Sequence, residues 1–187
     1  MWDNYSKLAA RIRVPTGLLV GAVYLVFAEP TARSLLVGAS VALAGLLLRA
    51  ISSGYVAKNQ RLATGGPYAY TRHPLYLGSA VAGVGFCIAG GRWWFFLLLG
   101  IILAGIYWPV IRREEEHIRR LFPDQFAAYA RVVPMLLPRL AAGHATGNPE
   151  EGFDWKLYWR HREYRALLAF AGIMFLLIGK IVWIGNR

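Results

Sequence analysis

Five long apolar runs, free of charged residues, constrain the fold of this chain more than any other feature of its sequence. A helix needs about 20 mostly apolar residues to cross a bilayer core. The shorter runs reach that length by continuing past Arg49 or Lys180, because long basic side chains can extend toward the interface. We therefore predict an all-α, polytopic integral membrane protein with about five transmembrane helices, or four if one run is a buried or re-entrant helix. The runs cover residues 14–28, 34–48, 75–91, 93–111 and 166–179.

Composition and charge agree with this prediction. Hydrophobic residues make up 57% of the 187 residues, against about 45–50% of a typical soluble domain. A net charge of +11 can indicate nucleic acid binding, but 16 of the 21 basic residues fall in segments that share one side of a five-helix topology. Cytoplasmic loops of membrane proteins carry this excess of Lys and Arg. We expect a cytoplasmic N-terminus, the lipid bilayer as a partner, and no nucleic acid.

The stretch from Gly66 to Gly78 gathers two prolines, three tyrosines, an arginine and a histidine at the start of a membrane helix. Pro74 is predicted to be the first helical residue, where its missing N–H costs nothing. The free N–H groups of that helix end favour an anion, and Arg72 adds a planar fork of donors. Alternatively, the stretch is an interfacial anchor in which His73 caps the helix. Flat walls for an aromatic ligand come from Tyr68, Tyr70 and Tyr76.

Three consecutive glutamates, Glu114 to Glu116, and His117 follow the fourth apolar run. These carboxylates can bind a cationic ligand group, or they can form a solvated helix face with salt bridges. The short link at residues 90–92 predicts a hairpin of the third and fourth helices, which brings both polar segments to the inner side. An anion site, aromatic walls and carboxylates together suit a zwitterionic, adenine-bearing ligand such as S-adenosylmethionine.

Two sets of motif residues therefore flank one helical hairpin. They are Gly66, Pro67, Tyr68, Arg72, His73, Pro74, Tyr76 and Gly78, and then Glu114, Glu115, Leu121, Phe122, Tyr129, Arg131, Val132, Val133, Pro134, Leu137 and Pro138. In this order and spacing, the region 60–140 resembles the isoprenylcysteine carboxyl methyltransferase family and the related phospholipid methyltransferases of membranes. Arg-His-Pro alone would be a weak signal, whereas the whole set between membrane helices is more specific.

The resemblance implies an S-adenosylmethionine-dependent methyltransferase with a cofactor cleft on the cytosolic side. Arg72 would orient a carboxyl acceptor or stabilise its charge, and Glu115 is a candidate catalytic residue, either Glu115 or His117 being the base for an amine acceptor. Glu114 or Glu115 would hold the cofactor's ammonium, and the run of three glutamates leaves open which one does so. The resemblance also implies cofactor binding by Pro67, Tyr68, His73, Pro74, Tyr76, Gly78, Tyr129, Arg131 and Pro134.

The same resemblance suggests an amphipathic, lipid-like or prenylated substrate, either an isoprenylcysteine carboxylate or a phospholipid amine. The chain departs from the family at Pro123 and Phe126, where a glycine and a tyrosine are frequent, so the local turn and one hydroxyl differ. We predict a single membrane domain over residues 1–187. Its parts are an interfacial N-terminal segment (1–13), a catalytic core (60–140), a loop and interfacial segment (141–164) and the last transmembrane helix (165–185).

Two other function classes compete with the methyltransferase. The first is an NADPH-dependent membrane reductase of the sterol reductase type, against which the glutamates speak because carboxylates repel phosphates. The second is a non-enzymatic membrane protein such as a transporter, although transport usually requires ionisable groups in mid-membrane. No Rossmann-type glycine motif occurs, and the histidines lack metal-ligand spacing, so no metal is expected. The lone cysteine, Cys87, is predicted to be a buried apolar residue.

Overall fold

A computed structural model describes residues 17, 19–57, 60–143 and 152–185. All regular secondary structure in these ranges is helical, as predicted. The predicted interfacial segment 1–13 lies outside the described residues, as do residues 144–151 of the predicted loop and interfacial segment. The helices are α1 (residues 19–27), α2 (Ala32–Ser53), α3 (Pro74–Gly90), α4 (Trp94–Ile102), α5 (Trp108–Leu121), α6 (Pro123–Val132), α7 (Trp155–His161) and α8 (Tyr164–Gly185).

Residues 28–31 form a short link between helices α1 and α2. Thr31 ends the link and caps α2: its hydroxyl accepts from the Ser34 N–H, while the Ser34 hydroxyl accepts from the Thr31 N–H. This reciprocal capping box satisfies two N–H groups that the helix cannot pair internally. At the same end of the molecule, the Lys180 ammonium of α8 donates to the carbonyls of Leu25 and Val26. A lysine inside an apolar helix thus provides hydrogen-bond donors to the last carbonyls of α1, which have no partner within that helix.

Helices α2 and α3 pack along a seam of small residues. A Cβ atom on Gly78 would lie 2.6 Å from the carbonyl oxygen of Gly45. A Cβ on Gly38 would likewise collide with the backbone of Ala89. Such close backbone approach is how helices associate in lipid, where apolar side chains gain nothing from leaving water.

A hairpin joins α3 to α4, as predicted. Gly91 ends α3 in the left-handed conformation, with φ of 70°, which glycine adopts without the steric cost of a Cβ. The Glu29 N–H donates to the Gly90 carbonyl at 2.8 Å, so this turn and the α1–α2 link are tied together. Arg92 also pairs with Glu29 there.

Helices α4 and α5 are continuous through a π-helical turn at Leu103–Tyr107, giving one helix of 28 residues from Trp94 to Leu121. Pro109 follows the turn; it has no N–H to donate, and its ring would clash with a carbonyl one α-turn earlier, so the wider turn accommodates it. The apolar part ends at Ile111, and the charged residues from Arg112 onward extend beyond it.

Three described helices are long and apolar enough to cross a membrane, namely Ala32–Ser53, Trp94–Leu121 and Tyr164–Trp183. Helix α3 is apolar but shorter, at 17 residues. The chain is therefore an integral membrane protein, and all regular secondary structure of its described residues is helical. Past Leu121, the chain bends at Phe122 and forms α6, which was not predicted as a separate helix.

The segment after α6 returns to the start of α3. The Pro134 carbonyl accepts from the Arg72 N–H at 2.9 Å, and the Tyr70 carbonyl accepts from the Arg139 N–H at 3.0 Å. The Thr71 hydroxyl, which is buried, lies 3.1 Å from the carbonyl oxygens of both Met135 and Leu136. These contacts hold the two polar segments side by side on one end of the helices.

Candidate functional site

A cavity of about 720 Å³ opens between the C-terminal end of α2, the N-terminal end of α3, and helices α5 and α6. It lies where the two polar segments meet. Its volume falls in the roughly 300–1,000 Å³ range of small-molecule sites. Six of the residues predicted to bind the cofactor or to be catalytic line it, as does His117, the alternative candidate base. The six are Tyr68, Arg72, His73, Tyr76, Glu114 and Tyr129.

A buried charge cluster stands behind one wall of the cavity. The Arg72 Nε atom lies 3.1 Å from Glu115 Oε1, and the His73 Nε2 atom lies 3.3 Å from the same oxygen. All three side chains are at most 14% exposed. Burial alone would raise the pKa of the Glu115 carboxyl, but His73 and the Arg72 guanidinium outweigh it and lower that pKa below its ordinary value. Glu115 is thus a charged partner of Arg72 rather than a ready proton acceptor.

The cluster leaves donor and acceptor capacity unused. Among the described residues, Arg72 Nε, His73 Nε2 and Glu115 Oε1 are buried and complete no hydrogen bond of ordinary geometry, although they lie in ion-pair contact. The Arg72 guanidinium also lies 5.6 Å from the centre of the Phe126 ring. A buried polar group without a full partner is costly in a folded protein and often marks a functional site.

Glu114, one residue earlier on α5, points into the cavity. The Tyr76 hydroxyl donates to Glu114 Oε2 at 2.9 Å, which fixes the carboxylate beside the first turn of α3. Adjacent residues of a helix point in directions about 100° apart, so Glu114 faces the cavity while Glu115 faces the cluster. Glu116 is exposed and does not line the cavity.

Two of the residues that line the cavity are Tyr68 and Tyr129. The Tyr129 hydroxyl donates to the Tyr68 carbonyl at 2.6 Å, and both side chains are buried. Burial raises the pKa of the Tyr68 phenol well above its ordinary value, so this side chain stays neutral. Tyr68 belongs to a 3₁₀ turn at Gly66–Ala69, the place where the sequence predicted a turn.

Five other predicted site residues lie outside the cavity wall. Pro67 is in the 3₁₀ turn, Pro74 is the first residue of α3, and Gly78 faces α2. The Pro134 carbonyl holds the Arg72 backbone, and Arg131 is exposed on α6. The backbone around the cavity is shaped by Pro67, Pro74, Gly78 and Pro134.

Sequence reasoning missed a second ion pair in the wall. Arg49, near the C-terminal end of α2, forms an ion pair with Glu163 from the turn between α7 and α8, and both residues line the cavity. An arginine close to the end of an apolar run was the available signal, since such residues usually have a partner. Other lining residues that were not predicted to belong to the site are Arg61, Ser79, Tyr107 and Arg113.

An apolar cavity of about 440 Å³ adjoins the polar one. It lies between α3 and the α4–α5 helix, beside the π-helical turn. Tyr76 and Tyr107 line both cavities, and their rings meet edge to face with centres 5.9 Å apart. The remaining lining is almost wholly apolar: Ala80, Gly100, Leu103, Ala104, Trp108, Ile111 and Leu136.

Curated relatives cover parts of the chain. A cobalt-zinc-cadmium resistance protein, CzcN of Cupriavidus metallidurans, is 35% identical over 108 residues, which are 57% of this chain and 48% of the relative. A nickel-cobalt-cadmium resistance protein, NccN of Alcaligenes xylosoxydans xylosoxydans, is 38% identical over 84 residues, or 45% and 39%. The protein-S-isoprenylcysteine O-methyltransferase of Schizosaccharomyces pombe is 24% identical over 140 residues, or 72% and 59%. The chain spans about half the length of these relatives.

No solved structure matches the chain significantly. The phospholipid methyltransferase family model matches residues 36–125, just under half of the chain. This segment runs from α2 to the start of α6 and includes Arg72, His73, Tyr76, Glu114 and Glu115. Residues 36–125 of the chain are thus similar to the phospholipid methyltransferase family.

Proposed function

We propose that this protein is a membrane methyltransferase that uses S-adenosylmethionine to methylate a lipid-like acceptor. The observation that carries the proposal is the pairing of two cavities. The polar one holds the Glu114 carboxylate beside the Arg72–His73–Glu115 cluster, and the apolar one adjoins it across Tyr76 and Tyr107. A charged cofactor and an apolar acceptor would thus meet at one wall.

The polar cavity has the donor set that this cofactor needs. Glu114, fixed by Tyr76, would hold the ammonium group, while Tyr68, His73 and Tyr129 would provide flat walls beside the adenosine. When bound, the cofactor supplies an electrophilic methyl group on its sulfonium. Pro67, Pro74, Gly78 and Pro134 would act through the backbone, and Arg131 would act at the outer rim.

The residues beside the acceptor mostly position it. Arg72, held by Glu115, would place its guanidinium against a carboxylate or phosphate of the acceptor. Glu115 would act by keeping Arg72 in position, since its lowered pKa makes it a poor base. Alignment of donor and acceptor can supply much of the rate for such a transfer.

The acceptor would carry an apolar tail. The 440 Å³ cavity lies within the apolar part of α3 and the α4–α5 helix, where a chain from the bilayer would need no desolvation. An isoprenylcysteine carboxylate and a phospholipid amine both fit this description. A carboxylate acceptor needs no base; an amine acceptor needs one, and His117 lines the cavity.

The topology also belongs to the proposal. We place five helices across the membrane, with the N-terminus and the cavity on the cytoplasmic side, because the basic residues concentrate there. Residues 60–140 form the catalytic core of a single domain, and residues 165–185 form the last span.

The resistance proteins among the relatives do not move the proposal to metal binding. The described residues contain no group of three or more His, Cys, Asp or Glu side chains that could hold a metal ion. A second candidate, an NADPH-dependent reductase, has one observation in its favour: Arg49, Arg61 and Arg113 line the same cavity and could face phosphates.

Methyl transfer can be measured directly. Purified protein in lipid nanodiscs would be incubated with methyl-tritiated cofactor and a total lipid extract, and the label counted in the organic phase. The proposal predicts label in lipid with the wild-type protein and little with Glu114→Gln. Equal labelling with and without the protein, for both lipid extracts and a prenylcysteine acceptor, would contradict it.

A further inference from the structure

Three residues from beyond the family-matched segment line the cavity, Phe126, Tyr129 and Glu163, and of these Glu163 comes from after α6. Glu163 lies in the turn between α7 and α8, whereas the family match ends at residue 125. Arg162 makes this turn sharp by adopting a left-handed backbone, with φ of 54°. The turn is anchored to the end of α2, because the Asp154 N–H donates to the Gly54 carbonyl at 3.0 Å and His161 Nε2 lies 3.0 Å from the Val56 carbonyl.

Glu163 grips Arg49 with both carboxylate oxygens. Arg49 Nη2 lies 2.9 Å from each oxygen, and Arg49 Nε lies 3.1 Å from Oε2. Arg49 Nη1 donates to the Ser79 hydroxyl, which in turn donates to the Leu75 carbonyl at 2.9 Å. The side chains are only 26% and 14% exposed, so the pairing is partly shielded from water. Bidentate pairs of this kind are the strong ones.

The Arg49–Glu163 ion pair determines how much positive charge a ligand in the cavity would encounter. Four arginines line it: Arg49, Arg61, Arg72 and Arg113. Glu115 neutralises Arg72 from behind, and Glu163 neutralises Arg49. Arg61 and Arg113 are exposed, so water and salt screen them. Without Glu163, a partly buried guanidinium would face the cavity beside the Ser79 hydroxyl, which is a ready site for a phosphate.

We infer that Glu163 is a specificity-determining residue that, by neutralising Arg49, keeps phosphate-bearing cofactors from binding at the Arg49 side of the cavity. The inference rests on the proposed function only in naming the favoured ligand, a cofactor whose sole anion is one carboxylate. Exclusion of phosphate by Glu163 is testable without any methyl transfer. It also gives a physical reason why the cavity can be rich in arginine and still not suit a nicotinamide phosphate.

The test uses Glu163→Gln, which keeps the shape of the side chain and removes its charge. Inorganic pyrophosphate and NADPH would be titrated into the detergent-purified protein by calorimetry. We expect Glu163→Gln to bind pyrophosphate at least tenfold more tightly than wild type, and the gain to vanish in the Arg49→Gln/Glu163→Gln double variant. Glu29→Gln is the matched control, because it breaks the exposed Arg92–Glu29 pair far from the cavity and should leave pyrophosphate affinity unchanged.

Unchanged pyrophosphate affinity in folded Glu163→Gln would overturn the inference, as would a gain that survives in the double variant. If Glu163→Gln is not recovered as a folded protein, Glu163→Ala replaces it: this variant also removes the negative charge, and it leaves no amide group between Arg49 and the turn, so its pyrophosphate affinity should exceed that of wild type, and an unchanged affinity would contradict us. S-adenosylhomocysteine is titrated into the wild type in parallel. Its failure to bind would count against the proposed function alone.

Discussion

At the residue scale, Arg72 has two tasks that a substitution would remove together. Its guanidinium faces the cavity, and it is also the partner of Glu115, whose side chain is 7% exposed. Taking away one member of a buried pair leaves the other charge without compensation. The effect on chemistry and the effect on stability must therefore be measured separately.

Arg72→Ala should abolish methyl transfer and also lower the free energy of unfolding, by about 3–5 kcal/mol if the site behaves like other buried pairs. Arg72→Lys keeps the charge but loses the planar fork, so it should fold and still transfer methyl groups poorly. Activity assays and thermal unfolding in detergent distinguish the two effects. An Arg72→Ala protein with wild-type activity would refute the assignment.

Glu114 and Glu115 differ by one position and should differ in phenotype. Glu114→Gln removes a cavity carboxylate held by Tyr76 and should weaken S-adenosylhomocysteine binding about tenfold or more, since hydrogen bonds to charged groups contribute about 1.5–3 kcal/mol. Thermal stability should change little. Glu116→Gln, exposed on the same helix, is the control, and equal losses in both variants would contradict the placement.

At the element scale, the cavity depends on how closely α2 and α3 approach. Their seam sets the distance between Arg49 on α2 and Ser79 on α3, and it positions Arg72 and His73 just before α3 begins. The resemblance suggested a cofactor-binding role for Gly78, but its geometry gives it a packing role as well.

Gly78→Ala should therefore destabilise the protein by about 1–3 kcal/mol, the usual range for overpacking. Its Cβ would lie 2.6 Å from the Gly45 carbonyl oxygen and 2.8 Å from Arg49 Cγ. Gly172→Ala on α8 is the matched control, because no described atom comes within 4 Å of that Cβ. Thermal unfolding of both variants is the measurement. Equal unfolding midpoints would show that the seam tolerates a methyl group.

The lengths of the apolar runs predicted the helices well. They did not predict the contacts between the helices. α2 and α8 continue past Arg49 and Lys180 as predicted, because the hydrophobic demand of a bilayer can be read from local sequence. The Arg49–Glu163 pair could not be predicted, since it joins residues 114 positions apart through packing of three elements. The separate helix α6 was missed because its start depends on a bend at Phe122.

At the scale of the whole molecule, the proposed topology places the cavity and the α3–α4 turn on opposite sides of the membrane. Arg92 is exposed in that turn, and Leu140 is exposed in the segment packed beside the cavity. The chain offers a simple background for labelling, because Cys87 is the sole cysteine and is buried.

In a Cys87→Ala background, Arg92→Cys should react with a membrane-impermeant maleimide in intact cells, and Leu140→Cys should react only after the membrane is permeabilised. The positive-inside distribution of charge is the physical reason. Labelling of both in intact cells, or the reverse order, would overturn the proposed orientation. Mass spectrometry of the purified variants gives the labelled fraction.

We propose that the polar cavity binds S-adenosylmethionine rather than a nicotinamide cofactor. The most direct test of this proposal is calorimetric titration of the detergent-purified wild-type protein with S-adenosylhomocysteine and, separately, with NADPH. We predict saturable binding of S-adenosylhomocysteine that weakens in Glu114→Gln, and no binding of NADPH. Binding of NADPH without binding of S-adenosylhomocysteine would contradict the account.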